Sequence, residues 1–151
     1  MPTLIDPRGP RFAATLTSLA LALVLLTAPG IFASVILAAQ AAVFAVGAAA
    51  GIQRTPYAWL FRSLLRARLG PAAREDAAPP RFAQAVGLGF ALVGLVGLLT
   101  GATTLGLIAV GLALAAALLN ATVGFCLGCE VYLLIKRVQH RSGRTTIATT
   151  N

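Results

Sequence analysis

From Phe12 to Ile52 the chain reads FAATLTSLALALVLLTAPGIFASVILAAQAAVFAVGAAAGI, and not one residue in that stretch is charged. One α-helix needs about 20 apolar residues to cross the hydrocarbon core of a bilayer, and this run is twice that. Its centre, Thr27-Ala28-Pro29-Gly30, is a turn signal without charge. The stretch therefore predicts two spans that go out and come back. A second apolar tract, Phe82 to Ile135, carries only Glu130 near its end and is divided by Leu99-Thr100-Gly101-Ala102-Thr103. That predicts a second helical hairpin.

The four spans are expected at about 12–28, 32–52, 82–99 and 104–123. Backbone groups in lipid must be paired within their own segment, and strands lacking period-2 alternation would not close a barrel. The expected fold is an all-α integral membrane protein, with four transmembrane helices as two tandem hairpins and interfacial amphipathic helices on the cytoplasmic side. Composition agrees. The 151 residues are 58% hydrophobic and 11% charged, with a mean hydropathy of +0.88. A soluble domain is about 25% charged, so a large soluble catalytic domain is excluded.

Twelve Lys and Arg against four Asp and Glu give a net charge of +8. In a soluble protein such a balance would raise the question of nucleic acid. Here all twelve cations fall at the breaks between hairpins: Arg8 and Arg11, Arg54 to Arg81, and Lys136 to Arg144. Basic residues close to spans stay on the cytoplasmic side, so both termini are expected on the cytoplasmic face of the membrane, with lipid and not nucleic acid as the neighbour. The first apolar run is preceded by Asp6-Pro7-Arg8-Gly9-Pro10-Arg11 and followed by another span, which argues against a cleaved signal peptide. The chain divides into a cytoplasmic N-terminus (1–11), a first hairpin (12–52), a cytoplasmic amphipathic segment and linker (53–81), a second hairpin (82–123), an interfacial helix (124–141) and a disordered tail (142–151).

The two halves read as copies. Pro10-Arg11-Phe12-Ala13 recurs as Pro80-Arg81-Phe82-Ala83, and Gly51 to Leu60 falls in register with Gly124 to Leu133. The middle segment from Thr55 to Gly70 starts at Thr-Pro and stops at Gly-Pro, as a short helix should. Tyr57, Trp59, Phe61, Leu64 and Leu65 suit the headgroup boundary, while Arg62, Arg66 and Arg68 reach anionic lipid, water or an acidic partner. Within the spans the polar groups are Gln40, Asn120 and some Ser and Thr. Ion-coupled transporters place ionisable groups at depth, so that class is disfavoured. Gln40 and Asn120 are read as structural, bonding across the bundle.

One constellation suits chemistry, Gly124-Phe125-Cys126-Leu127-Gly128-Cys129-Glu130, at the end of the fourth span. It holds both cysteines of the protein. Three residues apart on a helix, they share a face within reach of a disulfide, and the tight ring so formed is readily reopened. This is the spacing of thiol–disulfide oxidoreductase sites. A new helix starting near Cys126 would stabilise a thiolate through its unpaired N–H groups, with Lys136 and Arg137 adding positive potential. The expected roles are nucleophile for Cys126, resolving thiol for Cys129 and proton transfer for Glu130. Zinc needs about four ligands, and one pair plus a distant His140 does not supply them, so neither metal nor cofactor is expected.

Four blocks carry a wider resemblance: Ile5-Asp6-Pro7-Arg8-Gly9-Pro10-Arg11-Phe12, Thr55-Pro56-Tyr57 with Leu60-Phe61-Arg62, Pro79-Pro80-Arg81-Phe82-Ala83-Gln84, and Asn120-Ala121 through Phe125-Cys126-Leu127-Gly128-Cys129-Glu130. Over about residues 4–137 the chain resembles the membrane family catalogued as domain of unknown function 4395. The resemblance implies a bacterial protein, commonly actinobacterial, that accompanies a thioredoxin-like protein or a thiosulfate sulfurtransferase. The expected function is thiol–disulfide exchange or sulfur trafficking at the cytoplasmic-face CxxC. The alternative is a non-catalytic scaffold that holds a soluble partner through Trp59, Arg62, Arg66 and Arg68.

Overall fold

The computed structural model describes residues 4–70 and 74–147. A short strand β1 (Leu4–Ile5) leads into α1 (Arg8–Thr27) and α2 (Ile31–Ala49). A 3-10 turn (Ile52–Arg54), α3 (Pro56–Phe61), one wide π turn (Arg62–Arg66) and α4 (Ala67–Leu69) follow, then strand β2 (Glu75–Asp76). The chain continues as α5 (Ala78–Thr100), α6 (Thr103–Val123) and α7 (Leu127–Ile147). Among these, α1, α2, α5 and α6 are long and apolar enough to cross a membrane.

Local chemistry sets the ends. Gly101 (φ 85°) follows α5 and Gly124 (φ 74°) follows α6, both in the left-handed region that a Cβ disfavours. The helix starts differ from expectation by about one turn: α1 begins at Arg8 and α5 at Ala78, ahead of Phe12 and Phe82. The reason is a pair of carboxylates. Asp6 Oδ1 accepts from the Arg8 N–H at 2.9 Å and Asp76 Oδ1 from the Ala78 N–H at 3.0 Å, so each opens a turn upstream of the apolar run. At the other end of the chain α7 extends to Ile147, past the expected boundary at 141, and 148–151 of the expected tail lie outside the described residues.

The four long helices form a ring in which α1 and α5 each pack against both α2 and α6. Its centre is filled by Leu21, Val24, Leu37, Phe44, Ala91 and Val110. The outside is just as apolar: Leu19, Leu26, Phe32, Val35, Val96 and Ile108 are all exposed. A water-soluble bundle would not present such a surface, whereas in a bilayer lipid tails cover it. With no hydrophobic force left to join helices in lipid, close packing does so. A Cβ on Gly97 would lie 2.7 Å from the Gly106 backbone, and one on Gly94 would lie 2.8 Å from Val110. The α5–α6 backbones therefore meet through hydrogen atoms alone.

A polar chain crosses the core near one end. Tyr57 Oη donates to Gln40 Oε1 at 2.7 Å, and Gln40 Nε2 donates to Thr17 Oγ1 at 3.3 Å. Gln40 thus bonds across the bundle as expected; the side chain of Asn120 forms no such bond among the described residues. Tyr57 and Phe61 depart from the headgroup role read from sequence. Phe61 is 5% exposed and stacks on Phe12 with ring centroids 5.8 Å apart. The wide turn at 62–66 breaks the expected single helix, and on α3 ahead of it these two rings turn inward while Trp59 stays outside. Tyr57→Phe should strand the buried Gln40 oxygen and cost about 1 kcal/mol. An unchanged midpoint in reversible unfolding from mixed micelles would show that the bond contributes nothing.

Candidate functional site

The start of α1, the end of α2, the start of α5 and the end of α6 meet at one end of the bundle, fastened by two arginines. Arg11 Nη2 donates to the carbonyls of Thr122 (3.0 Å) and Ala121 (3.4 Å) at the end of α6. Arg81 does the same for α2, with Nε and Nη2 each 2.6 Å from the carbonyls of Ala48 and Ala49. The last carbonyls of a helix have no partner within it and carry partial negative charge, which a guanidinium satisfies. Each half of the chain therefore caps the other half's second helix. Nothing in the sequence signalled this beyond the recurrence of Pro-Arg-Phe-Ala.

One layer out, each half pairs an aromatic residue with its own following segment. Phe12 stacks on Phe61, and Phe82 stacks on Tyr132 with centroids 5.7 Å apart. Thr55 Oγ1 accepts from the Ala58 N–H at 3.2 Å to start α3, while Cys126 Sγ accepts from the Cys129 N–H at 3.3 Å to start α7. Thr55 and Cys126 are thus structural equivalents, as are Phe61 and Tyr132. The sequence register pairing Gly51 with Gly124 is off by two residues here, because the 3-10 turn Ile52–Arg54 has no counterpart after Gly124.

Cys126 and Cys129 form a disulfide, with Cα atoms 5.2 Å apart. Both are half-buried, Cys126 just before α7 and Cys129 on its first turn. That turn is held against α5 by Gly128, where a Cβ would lie 2.7 Å from Ala83 Cα, so the glycine lets the helix approach closely. The bridge spans three residues and stays within one turn, so it ties no two helices together. Glu130 is exposed, and its N–H donates to the Cys126 carbonyl at 3.0 Å. Lys136 lies over the Tyr132 ring, its Nζ 5.8 Å from the centroid. The cation nearest the start of this segment is one the sequence reading did not associate with it: a Cβ on Gly124 would lie 3.5 Å from Arg11 Nε.

The other predicted site residues lie on the segment after α2. Trp59 is 64% exposed, and Arg62, Arg66 and Arg68 are exposed as well. Arg62 is anchored by Nη1 on the Gln53 carbonyl at 2.8 Å, and Arg8 Nη1 reaches the Leu69 carbonyl at 2.7 Å. Leu4 and Ile5 pair antiparallel with Asp76 and Glu75 over this region, and Ile5, Ile52 and Ala77 pack together beneath. Burial raises the Tyr57 phenol above its ordinary value, so it remains a donor to Gln40 through the physiological range.

These contacts enclose a cavity of about 600 Å³, lined among others by Gln53, Tyr57, Arg62, Arg66, Arg74 and Gln84. Neither cysteine borders it. Among the described residues, Gln53 Nε2 is buried there without a hydrogen-bond partner. Comparison with curated proteins and with solved structures finds no match. The blocks that build this end, from β1 through the first half of α7, fall within residues 5–137, the part of the chain matched by the family model described as domain of unknown function (DUF4395), and the protein belongs to that family.

Proposed function

We propose that this membrane protein exchanges electrons or sulfur with a soluble partner through Cys126 and Cys129. The observation that carries the reading is the disulfide itself: both cysteines of the protein are joined at the half-exposed start of a helix, beside the basic end of the bundle. By the positive-inside rule that end faces the cytoplasm, with the two hairpins in tandem and α7 along the membrane surface. The exposed apolar stripe Leu127, Val131, Leu134 and Val138 suits α7 to that position.

The exchange runs in two displacements. A thiolate of the reduced partner attacks Cys126 Sγ, forming a mixed disulfide and expelling Cys129 as a thiolate, which takes up a proton. The partner's second thiolate then attacks its own sulfur in the mixed disulfide and expels Cys126, which is protonated in turn. Two electrons and two protons pass from partner to pair, and the reverse sequence oxidises the partner. The Cys129 N–H directed at Cys126 Sγ, 3.3 Å away, favours the anionic leaving group. A thioredoxin-like protein fits this chemistry; a sulfurtransferase persulfide would instead pass its outer sulfur to the Cys126 thiolate of the reduced pair, forming a persulfide there and leaving as the sulfurtransferase's own thiolate.

Alkylation in intact cells and in inverted vesicles, at a series of imposed potentials, tests side and reactivity together. Labelling from the cytoplasmic side alone, with a midpoint in the range of roughly −220 to −320 mV, is expected. Cysteines inert at every potential would reduce the pair to packing and leave the scaffold reading.

A further inference from the structure

We propose that the cavity at the basic end binds an anion bearing an apolar group, its head held by Arg62, Arg66 and Arg74 and its apolar part directed between the helices. This site is separate from the cysteines and does not depend on their chemistry. Its volume, about 600 Å³, falls in the range of roughly 300–1,000 Å³ typical of small-molecule sites. Three arginines and one acidic residue, Asp6, are among its lining residues, and the Asp6 carboxylate already accepts from the Arg8 N–H. A cleft with one dominant sign of charge concentrates counter-ions. Arg62 is held in place by one N–H on the Gln53 carbonyl, which leaves its other donors for a ligand oxygen.

Gln53 supplies the second observation. Its Nε2 is buried and unpartnered at the cavity, and a buried donor without an acceptor is destabilising. A rotation of the Gln53 amide, whose side chain lines the cavity, would bring Nε2 to an acceptor oxygen on the ligand. The rest of the lining explains the apolar part: Ala13 on α1 and Val43 on α2, both within the apolar helices, line the cavity together with Ile52 and Phe61. Such a pocket suits a phosphate with a short acyl chain better than a highly hydrated ion. Free phosphate and a lipid phosphate share the same head chemistry, and the test separates them.

The full chain in zwitterionic nanodiscs is titrated with dihexanoyl phosphatidic acid, dihexanoyl phosphatidylcholine and inorganic phosphate, followed by fluorescence of Trp59, the only tryptophan. Phosphatidic acid is expected to saturate at a concentration at least about tenfold below phosphatidylcholine. Displacement by millimolar phosphate identifies the free anion as sufficient; saturation unaffected by phosphate identifies the tailed one. Arg66→Gln and Arg74→Gln should each weaken binding about tenfold, the loss of one charge-assisted pair. Arg54→Gln, the same change of charge on an exposed side chain outside the cavity, should leave affinity unchanged. Gln53→Met should weaken binding while the thermal midpoint without ligand stays level or rises, a combination that a purely structural residue does not give. Equal binding of the two lipids overturns the site. So does an Arg54→Gln loss equal to that of Arg66→Gln, which would mean attraction to the surface alone.

Discussion

Cys129→Ser is expected to stop the exchange completely while leaving the protein inserted and folded, and to trap the partner on Cys126. With an oxidised partner, the Cys126 thiolate attacks the partner's disulfide and releases one of its thiolates; the serine cannot expel the other, so once the released thiol is alkylated the mixed disulfide persists as an adduct that a reductant releases on a gel. Cys126→Ser should give no adduct and equally no exchange. Folding should be indifferent to both. The bridge closes a loop of only three residues within one helical turn, and loop closure of that size removes little entropy from the unfolded chain. What attaches α7 to the bundle is Gly128 on Ala83 and Tyr132 on Phe82, neither of which the substitutions touch. Exchange that survives in Cys129→Ser, or adducts formed equally by both variants, would refute the assigned roles.

Gly97→Val should be the most damaging single change in the spans. Its Cβ would be placed 2.7 Å from both the Cα and the N of Gly106 and 3.0 Å from the Ala102 carbonyl. These are backbone atoms, which cannot rotate away as a side chain can. The helices must separate, forfeiting the close contact that joins them in lipid. A loss of about 3 kcal/mol is expected, the upper end of overpacking costs, as a lower unfolding midpoint in mixed micelles. At Gly89, on the same helix, a methyl group would meet nothing within 4 Å, and Gly89→Ala should be neutral or slightly stabilising. If the two variants unfold alike, the α5–α6 contact does not hold the bundle.

Much of this architecture is local and therefore legible. An uncharged run of twice the spanning length, a Pro-Gly at its middle and cations only at the breaks are consequences of dissolving a chain in hydrocarbon, and they require no knowledge of which helix touches which. The CxxC at the end of the fourth span is likewise a matter of spacing. The middle segment shows where such reasoning stops. A helical pattern with Trp59, Tyr57 and Phe61 among arginines reads as one amphipathic helix on the membrane, because sequence cannot tell an aromatic that meets lipid from one that meets Gln40 or Phe12.

The sequence alone determined the number and place of the apolar helices, the turns between them, the gathering of charge at their basic ends and the spacing that lets the two cysteines pair. Tertiary structure decided the rest: that Arg11 and Arg81 cap the helices of the opposite half, that Thr55 corresponds to Cys126, and that Arg62, Arg66 and Arg74 border a cavity with an unpartnered Gln53. The difference has one physical cause. Burial in lipid and helix capping act within a few residues, whereas a guanidinium meeting a carbonyl 110 positions away depends on how the helices pack.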